Sequence, residues 1–268
     1  MNLTDDNKII SSKKKAFRNW RKHNFIFKKF SGLLYEKIID IKKDFNDVLL
    51  ITSDFDETLS EISRIPHKNL SYLSQYKLFV ENVNLENKKI HKFFSPFIKI
   101  PFEKESFDLV ICNFCFHNIS SKPEYLKNLK KILKNGGLLI CNYFGEDSLI
   151  ELRNSFLMTD EKVFGGSFLR FPKNLRLVEF SDMLAKEGFS EIITEKINFE
   201  IFYTNVFKIL KDLKGVGEDN SISEEKKKIS RVYLKELNRV YKDNFSNKDQ
   251  KLKVTCEIIS SSSWKSLK

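Results

Sequence analysis

The sequence predicts an α/β fold: a seven-stranded, mostly parallel sheet with a helical cap at the N-terminus. Three observations carry the prediction. Residues 107–153 read FDLVICNFCFHNISSKPEYLKNLKKILKNGGLLICNYFGEDSLIELR, an apolar run, a short loop, an amphipathic helix at about 122–134, Gly136-Gly137, and a second apolar run at 138–143. Strand, helix, glycine stop and strand make a βαβ unit, which demands a parallel pair. Strand-like and helix-like segments also alternate along the rest of the chain and end in a β–α–β tail, as in a sheet whose last strand is antiparallel. Finally, 268 residues suffice for one large core with additions, and no apolar run approaches the ~20 residues of a membrane span.

The elements follow in order. Residues 1–11 read as disordered. Ser11 or Ser12 caps a helix carrying Phe17, Trp20, Phe27, Phe30, Leu33 and Leu34 at near-helical spacing, which reaches Ile41 after a break near Gly32. Asp47–Thr52 is a short buried strand, 58–65 a helix stopped by Pro66, 70–73 a weak second strand and 89–97 a weak third. After the βαβ unit come a helix at 147–157, a helix at 175–188 ended by Gly188, and an alternating strand at 192–203. A helix at 204–214 turns Phe207, Leu210 and Leu213 inward. Ser221 and Glu224 form a capping box for a helix to about Tyr241 through Ile229, Val232, Tyr233, Leu237 and Val240. Leu252, Val254, Cys256 and Ile258 alternate as a final strand.

Net charge is +11, but the lysines are spread along the chain and accompany abundant Asn, Ile and Phe, a bias of A/T-rich codons. A nucleic-acid partner is therefore not expected. The cluster Lys13, Lys14, Lys15, Arg18, Arg21 and Lys22 is the local exception, and 13–22 is the segment suited to peripheral contact with membrane headgroups. Asp5 and Asp6, with no apolar segment beside them, read as neither a secretory signal nor a mitochondrial presequence. Four cysteines indicate a reducing compartment, and the location expected is cytoplasmic. Cys112 and Cys115 have metal-pair spacing, but residues three apart on a strand point to opposite faces, so the pair is read as core and no metal site is expected.

The stretches K-K-A-F-R-N-W (14–20), I-P-F-E-K-E-S-F-D-L-V (100–110), F-G-E-D-S-L-I-E-L-R (144–153) and F-K-I-L-K-D-L-K-G-V-G-E-D-N (207–220) carry a family resemblance. Over its whole length the chain resembles class I S-adenosylmethionine-dependent methyltransferases with a Rossmann-like sheet. Within them it is most similar to the methyltransferase-like assembly factors of respiratory complex I and to the malonyl-acyl-carrier methyltransferases of biotin synthesis. The resemblance implies S-adenosylmethionine as cofactor and a complex I subunit as substrate or client; an arginine hydroxylation has been assigned to eukaryotic members. It also implies a tail and helical cap over 1–45 and a methyltransferase-like domain over 46–268. That domain carries an insertion at about 145–190 and a C-terminal helix and last strand within 204–262.

The family's first strand ends in an acid and a glycine-rich turn, which lets the backbone approach the cofactor and offers a helix N-terminus to its carboxylate. Here Leu50 stands for the acid, and Thr52, Asp54 and Asp56 stand for the glycines. The acid that holds the ribose falls near Ser74 and the one that reads the adenine near Pro96, without an acid at either place. By position, then, the cofactor-binding residues are Thr52, Ser53, Asp54, Asp56, Ser74 and Asn113. Their side chains predict weak or absent binding; the alternative is a shifted pocket with Asp54 or Asp56 on the ribose. A catalytic residue is not identified beyond the candidate base His117, just past the fourth strand. Arg153 is expected to pair with a carboxylate elsewhere.

Asp54-Phe55-Asp56-Glu57-Thr58-Leu59 also fits the D-x-D-x-T-L nucleophile motif of haloacid-dehalogenase-type phosphatases. No later strand supplies the acidic pair that chemistry needs. Two function classes stand: an enzyme with a remodelled cofactor pocket, and a non-catalytic assembly chaperone that keeps the partner surface.

Overall fold

The computed structural model describes residues 6–86, 88–171, 173–219 and 229–266. The expected capping box at Ser221 and Glu224 lies outside them. The strands are β1 (Asp47–Thr52), β2 (Asn69–Ser74), β3 (His91–Phe94), β4 (Phe107–Asn113), β5 (Leu133–Phe144), β6 (Phe189–Tyr203) and β7 (Leu252–Lys265). The helices are α1 (Asp6–Ala16), α2 (Phe25–Ile39), α3 (Glu57–Ile62), α4 (Lys77–Asn82), α5 (Lys122–Ile132), α6 (Ile150–Phe164), α7 (Leu177–Lys186), α8 (Val206–Gly215) and α9 (Arg231–Phe245). The sheet has seven strands in the order β3-β2-β1-β4-β5-β7-β6, and β1 to β5 pair in parallel. Hydrogen bonds link Ser190 to Trp264, Thr194 to Ser261 and Glu200 to Lys253, so numbers rise on β6 as they fall on β7 and these two strands are antiparallel. The predicted fold class is the observed one. No helix among the described residues is long and apolar enough to cross a membrane.

The chain forms two compact units, taken in turn. One comprises Trp20–Tyr143, Leu175–Lys196 and Ile259–Lys268. Its centre is the run of fully buried residues Leu49, Leu50 and Ile51 on β1, Leu109, Val110 and Ile111 on β4, and Leu138, Leu139 and Ile140 on β5. Unbroken apolar runs of this kind mark parallel strands covered on both faces. At the start of these strands Asp108 accepts from the backbone of Asn46 and Asp47 at 3.1 and 2.9 Å, and Lys134 joins both carboxylates.

The glycine pair does not end α5 as expected. The helix stops at Ile132, Leu133 is already extended, and strand pairing starts there. Between Phe107↔Leu133 and Leu109↔Leu138 the register shifts, and Gly136 at φ +69° turns the extra residues back into line. A Cβ on Gly137 would stand 2.8 Å from the Lys134 carbonyl oxygen, so Gly137→Ala is expected to cost about 1–3 kcal/mol, read from the urea midpoint. An unchanged midpoint would mean that the bulge is free to relax.

Cys112 and Cys115 also depart from expectation. They do not point apart; their sulfurs lie 3.0 Å from each other, both fully buried. The strand ends at Asn113, and Phe114 at φ +52° folds Cys115 back, so strand alternation no longer applies to it.

The other unit comprises Met1–Asn19, Phe144–Asn174 and Ile197–Ile258. Its core packs Leu152 and Phe156 of α6, Val206 and Ile209 of α8, Tyr233, Leu237 and Tyr241 of α9, and Leu252 and Val254 of β7. Within 1–11, residues from Asp6 onward are helical, with Ile9 buried. Lys13 leaves the basic cluster: it is fully buried, donating to Glu218 at 2.7 Å and to the Val216 carbonyl at 2.9 Å. Gly217, at φ +63°, leaves room for this approach, since a Cβ there would meet Lys13 backbone at 2.9 Å. The G-V-G-E stretch is thus a seat for α1.

Helix α6 begins at Ile150 and not at Asp147, because 145–149 is a turn fastened to β7. Gly145 N donates to Glu257 O at 3.0 Å, Ser148 Oγ to Glu257 O at 2.6 Å, and Leu149, at φ +61°, to Thr255 O at 2.7 Å. Glu151 accepts from Thr255 N and Oγ1 at 2.9 and 2.6 Å. Arg153 donates to the Glu146 carbonyl at 3.1 Å, a backbone partner in place of the expected carboxylate. Phe207, Ile229 and Val232 were expected inward and are exposed, because the buried faces of α8 and α9 are set by Val206, Ile209, Tyr233 and Leu237.

Candidate functional site

In a parallel α/β sheet, ligand sites lie beyond the carboxyl ends of the strands, near the place where strand order reverses. Here that place is the ends of β1 and β4, where Thr52 and Asn113 are register partners. The turn leaving β1 carries Ser53, Asp54, Phe55 and Asp56 into α3.

Asp54 is the centre of a closed polar cluster. It is fully buried, as are Thr52, Ser53, Thr58, Ser74, Asn113 and Asn142. Its Oδ2 accepts from Thr52 Oγ1 at 2.6 Å, Thr58 Oγ1 at 2.7 Å and Asn113 Nδ2 at 3.1 Å. Its Oδ1 accepts from the Thr58 backbone N–H at 3.2 Å. This last contact is telling: the carboxylate that meets the first turn of α3 is the chain's own. Asn142, the β5 register partner of Asn113, donates to it at 3.0 Å and fixes the amide orientation. Ser53 N donates to Asn113 O at 3.1 Å, and the Ser53 hydroxyl bonds to Phe114 O. Ser74 turns its hydroxyl to Thr52 O at 2.9 Å, and Tyr72 reaches Phe55 O at 3.2 Å.

Aromatic rings pack together among the elements that carry the cluster. Trp20 packs on Phe27 and Phe79 with centroids 5.0 and 5.4 Å away, Phe55 and Tyr76 pack on Phe79 at 5.5 and 5.3 Å, and Phe114 sits 4.8 Å from Phe27 and 5.2 Å from Phe30. At the edge, Glu57 Oε1 accepts from Trp20 Nε1 at 2.8 Å and from Asn24 Nδ2, while its buried Oε2 has no hydrogen-bond partner.

Electrostatics follow from burial. Loss of solvent raises the Asp54 carboxyl above its ordinary range, against the lowering effect of bonds from Thr52, Thr58 and Asn113. Glu57 is pushed up to about 7, first by burial and then by the neighbouring Asp54 charge; its bonds from Asn24 and Trp20 only partly offset this. Burial, with Asp54 beside it, also raises the Tyr72 phenol well above its ordinary value.

Of the residues singled out from sequence, Thr52, Ser53, Asp54, Ser74 and Asn113 do converge. Asp56 does not: it pairs with Arg21 at 2.8 Å on a more exposed edge. His117 lies on a 3-10 turn, Phe116–Asn118, half-buried, with Nε2 3.2 Å from Asn118 Nδ2. Thr58, Tyr72, Asn142, Glu57, Asn24 and Trp20 were not anticipated as members. Only Thr58 carried a signal, as the Thr of the D-x-D-x-T-L word.

Known proteins share this architecture. A methyltransferase-domain family model matches residues 73–141. The Rickettsia prowazekii protein named "Putative methyltransferase RP459" is 30% identical over 185 residues, which cover 66% of this chain and 73% of that protein. The rat protein named arginine-hydroxylase NDUFAF5, mitochondrial, is 27% identical over 166 residues, covering 62% of this chain and 48% of that protein. The chain thus spans about half the length of that relative. The crystal structure of YcgJ from Bacillus subtilis superposes with a TM-score of 0.60 at 15% identity, covering 89% of this chain and 98% of YcgJ, and so shares the fold. Strand order, the matched βαβ region and the Rickettsia relative agree, and the chain belongs to the class I S-adenosylmethionine-dependent methyltransferase family.

Proposed function

We propose that this chain acts as an escort for a protein client, a respiratory complex I subunit, and no longer seats S-adenosylmethionine in the family's ordinary pose. One observation carries the cofactor part: Asp54, at a position where the family has glycine, is fully buried with its carboxylate on the first turn of α3. A cofactor carboxylate there would meet both the Asp54 side chain and its charge. Ser74, at the ribose position, spends its hydroxyl on Thr52 O. The residues present do not fit the group, and no methyl-transfer step is assigned to them. The client part is supported by the resemblance of 144–153 and 207–220 to complex I assembly factors. Four free, buried cysteines suit a reducing, cytoplasmic location.

The phosphatase reading finds no support in the geometry. Its nucleophile must face an open site, whereas both oxygens of Asp54 are taken up by Thr52, Thr58 and Asn113.

Calorimetric titration with S-adenosylmethionine and S-adenosylhomocysteine tests the proposal, beside affinity capture of complex I subunits from the native cell. The expected result is no binding of either nucleoside to millimolar concentration, with a complex I subunit captured. Micromolar binding would restore a methyltransferase with a shifted pocket. Absence of any complex I subunit would remove the client.

A further inference from the structure

Cys112 and Cys115 are brought together by a backbone turn and not by strand alternation. Cys112 lies on β4, which ends at Asn113; Phe114 then takes φ +52°, a left-handed value rare for a bulky side chain, and returns Cys115 onto Cys112. Phe114 N donates to Asn142 O at 2.9 Å, and Phe114 O accepts from the Ser53 hydroxyl. Neighbouring segments thus hold the turn that pairs the sulfurs. The two Sγ atoms stand 3.0 Å apart, so a disulfide of about 2.0 Å needs a further approach of about 1 Å. Tyr125 OH lies 3.7 Å from Cys112 Sγ and 4.0 Å from Cys115 Sγ, and all three side chains are fully buried. The other cysteines are placed differently: Cys141 is the β5 register partner of Cys112, and Cys256 belongs to the other unit.

The paired sulfurs are not equivalent. Burial raises a thiol, but at Cys112 bonds from Cys115, Cys141 and Tyr125 outweigh it and hold the thiol well below its ordinary value. At Cys115 burial prevails and pushes the thiol well above. Cys112 is therefore the thiolate, the form that attacks, and Cys115 the thiol beside it. Burial also selects the oxidant. A disulfide the size of glutathione is too large to reach either sulfur, whereas hydrogen peroxide needs only a small local opening. Cys115 leads directly into the 3-10 turn Phe116–Asn118, where His117 and Asn118 are half-buried. Opening of that single turn is the route of entry.

We propose that Cys112 and Cys115 are a peroxide-reactive pair that closes an intramolecular disulfide and so locks the turn on which Asn113 and Phe114 hold the Asp54 cluster. The inference is independent of the client and cofactor readings above. The Cys112 thiolate attacks one oxygen of hydrogen peroxide, the O–O bond breaks, and Cys112 becomes a sulfenic acid. The departing hydroxide takes up the proton that Cys112 had released. Cys115 sulfur then attacks the sulfenic sulfur; the S–O bond breaks, and its hydroxide leaves as water with the Cys115 proton. Two thiols are oxidised to one disulfide while one peroxide is reduced to two waters. Asn113 and Phe114 are the residues enclosed by the new ring. Asn113 donates to Asp54 at 3.1 Å and accepts from Ser53 N at 3.1 Å, so the ring restrains the groups that fasten the turn after β1.

The test treats the full, folded chain with hydrogen peroxide, then alkylates the remaining thiols after unfolding. The expected result is loss of two of the four thiols, both in the tryptic peptide 105–127, which becomes about 2 Da lighter than its reduced, unalkylated form. Hydrogen exchange at the Ser53 and Phe114 amides should slow by roughly threefold or more in the disulfide form. Cys115→Ser should stop at the first step and leave a Cys112 sulfenic acid that dimedone traps. Survival of all four thiols overturns the proposal, as does a Cys112–Cys141 bond. Unchanged exchange at both amides overturns it as well, as does a folded Cys115→Ser without the dimedone adduct. If Cys115→Ser does not fold, peptide mapping and exchange of the unsubstituted chain decide.

Discussion

Replacing Asp54 with Ala is expected to lower the unfolding free energy by about 3 kcal/mol. The carboxylate serves Thr52 Oγ1, Thr58 Oγ1, Thr58 N and Asn113 Nδ2 at once. The threonine hydroxyls can rotate toward other acceptors, but the Thr58 N–H and the Asn113 amide are fixed by helix and strand. Each stranded buried donor costs about 1–3 kcal/mol, and relief from burying a carboxyl returns part of the loss. Urea unfolding of the two proteins gives the difference. A loss under about 1 kcal/mol would mean the cluster is not a stabilising core, and a catalytic role for Asp54 would regain standing. Placing glycine at Thr52, Asp54 and Asp56 together is the complementary change. It opens the turn but strands the same donors, so any gain in S-adenosylmethionine affinity must be read beside the expected loss of stability.

Glu57→Gln should remove much of the stability that the protein loses as pH rises. The Glu57 carboxyl goes from 4.5 to about 7 on folding, because burial and Asp54 disfavour its charge. The folded state therefore binds the proton more tightly than the unfolded state. This contribution is fully present below about pH 4.5 and is lost as pH climbs through about 7. Its size is about 3 kcal/mol. The amide oxygen of the substituted side chain would remain an acceptor for Trp20 Nε1 and Asn24 Nδ2 without acquiring a charge. Near pH 5 the variant should match the unsubstituted protein within about 1 kcal/mol, and near pH 8.5 it should be more stable by about 2–3 kcal/mol. Asp54 is shifted in the same direction, so some slope persists in the variant. Urea midpoints at the two pH values decide; an identical pH slope in both proteins would show that Glu57 is not the group responsible.

Legibility tracked the range of the interactions. Strand β1 matched its predicted bounds because its apolar run is bounded by polar residues and buried on both faces. Helix α7 was legible from Gly188, which takes φ +74° just beyond it. The start of α6 was not, since Leu149 is held at φ +61° by Thr255, more than a hundred residues away. Inward faces were misjudged for Phe207 and Val232 because hydrophobicity marks what a residue tolerates, while the opposing surface decides what is covered. Family-like stretches also proved structural in part: Gly217 makes room for Lys13, and Ser148 and Glu151 fasten a turn to β7.

By itself the sequence determined the parallel α/β sheet, its βαβ centre and a turn after β1 that holds no glycine. These depend on local pattern: unbroken apolar runs, one amphipathic helix and residue types whose backbone freedom is known. Only the tertiary structure decided what the replacing side chains do. Thr52, Thr58, Ser74, Asn113 and Asn142 come from separate segments, and their hydrogen bonds depend on register between strands and on the burial that keeps water from them. Asp54 read alone is a carboxylate in the turn after a strand; enclosed by those donors, it is the centre of a buried polar core. Arg170, one basic residue among many in the sequence, is buried because α6, α9 and the segment after α6 bring the Asp160 carboxylate and the Phe156, Phe168 and Tyr233 rings around it.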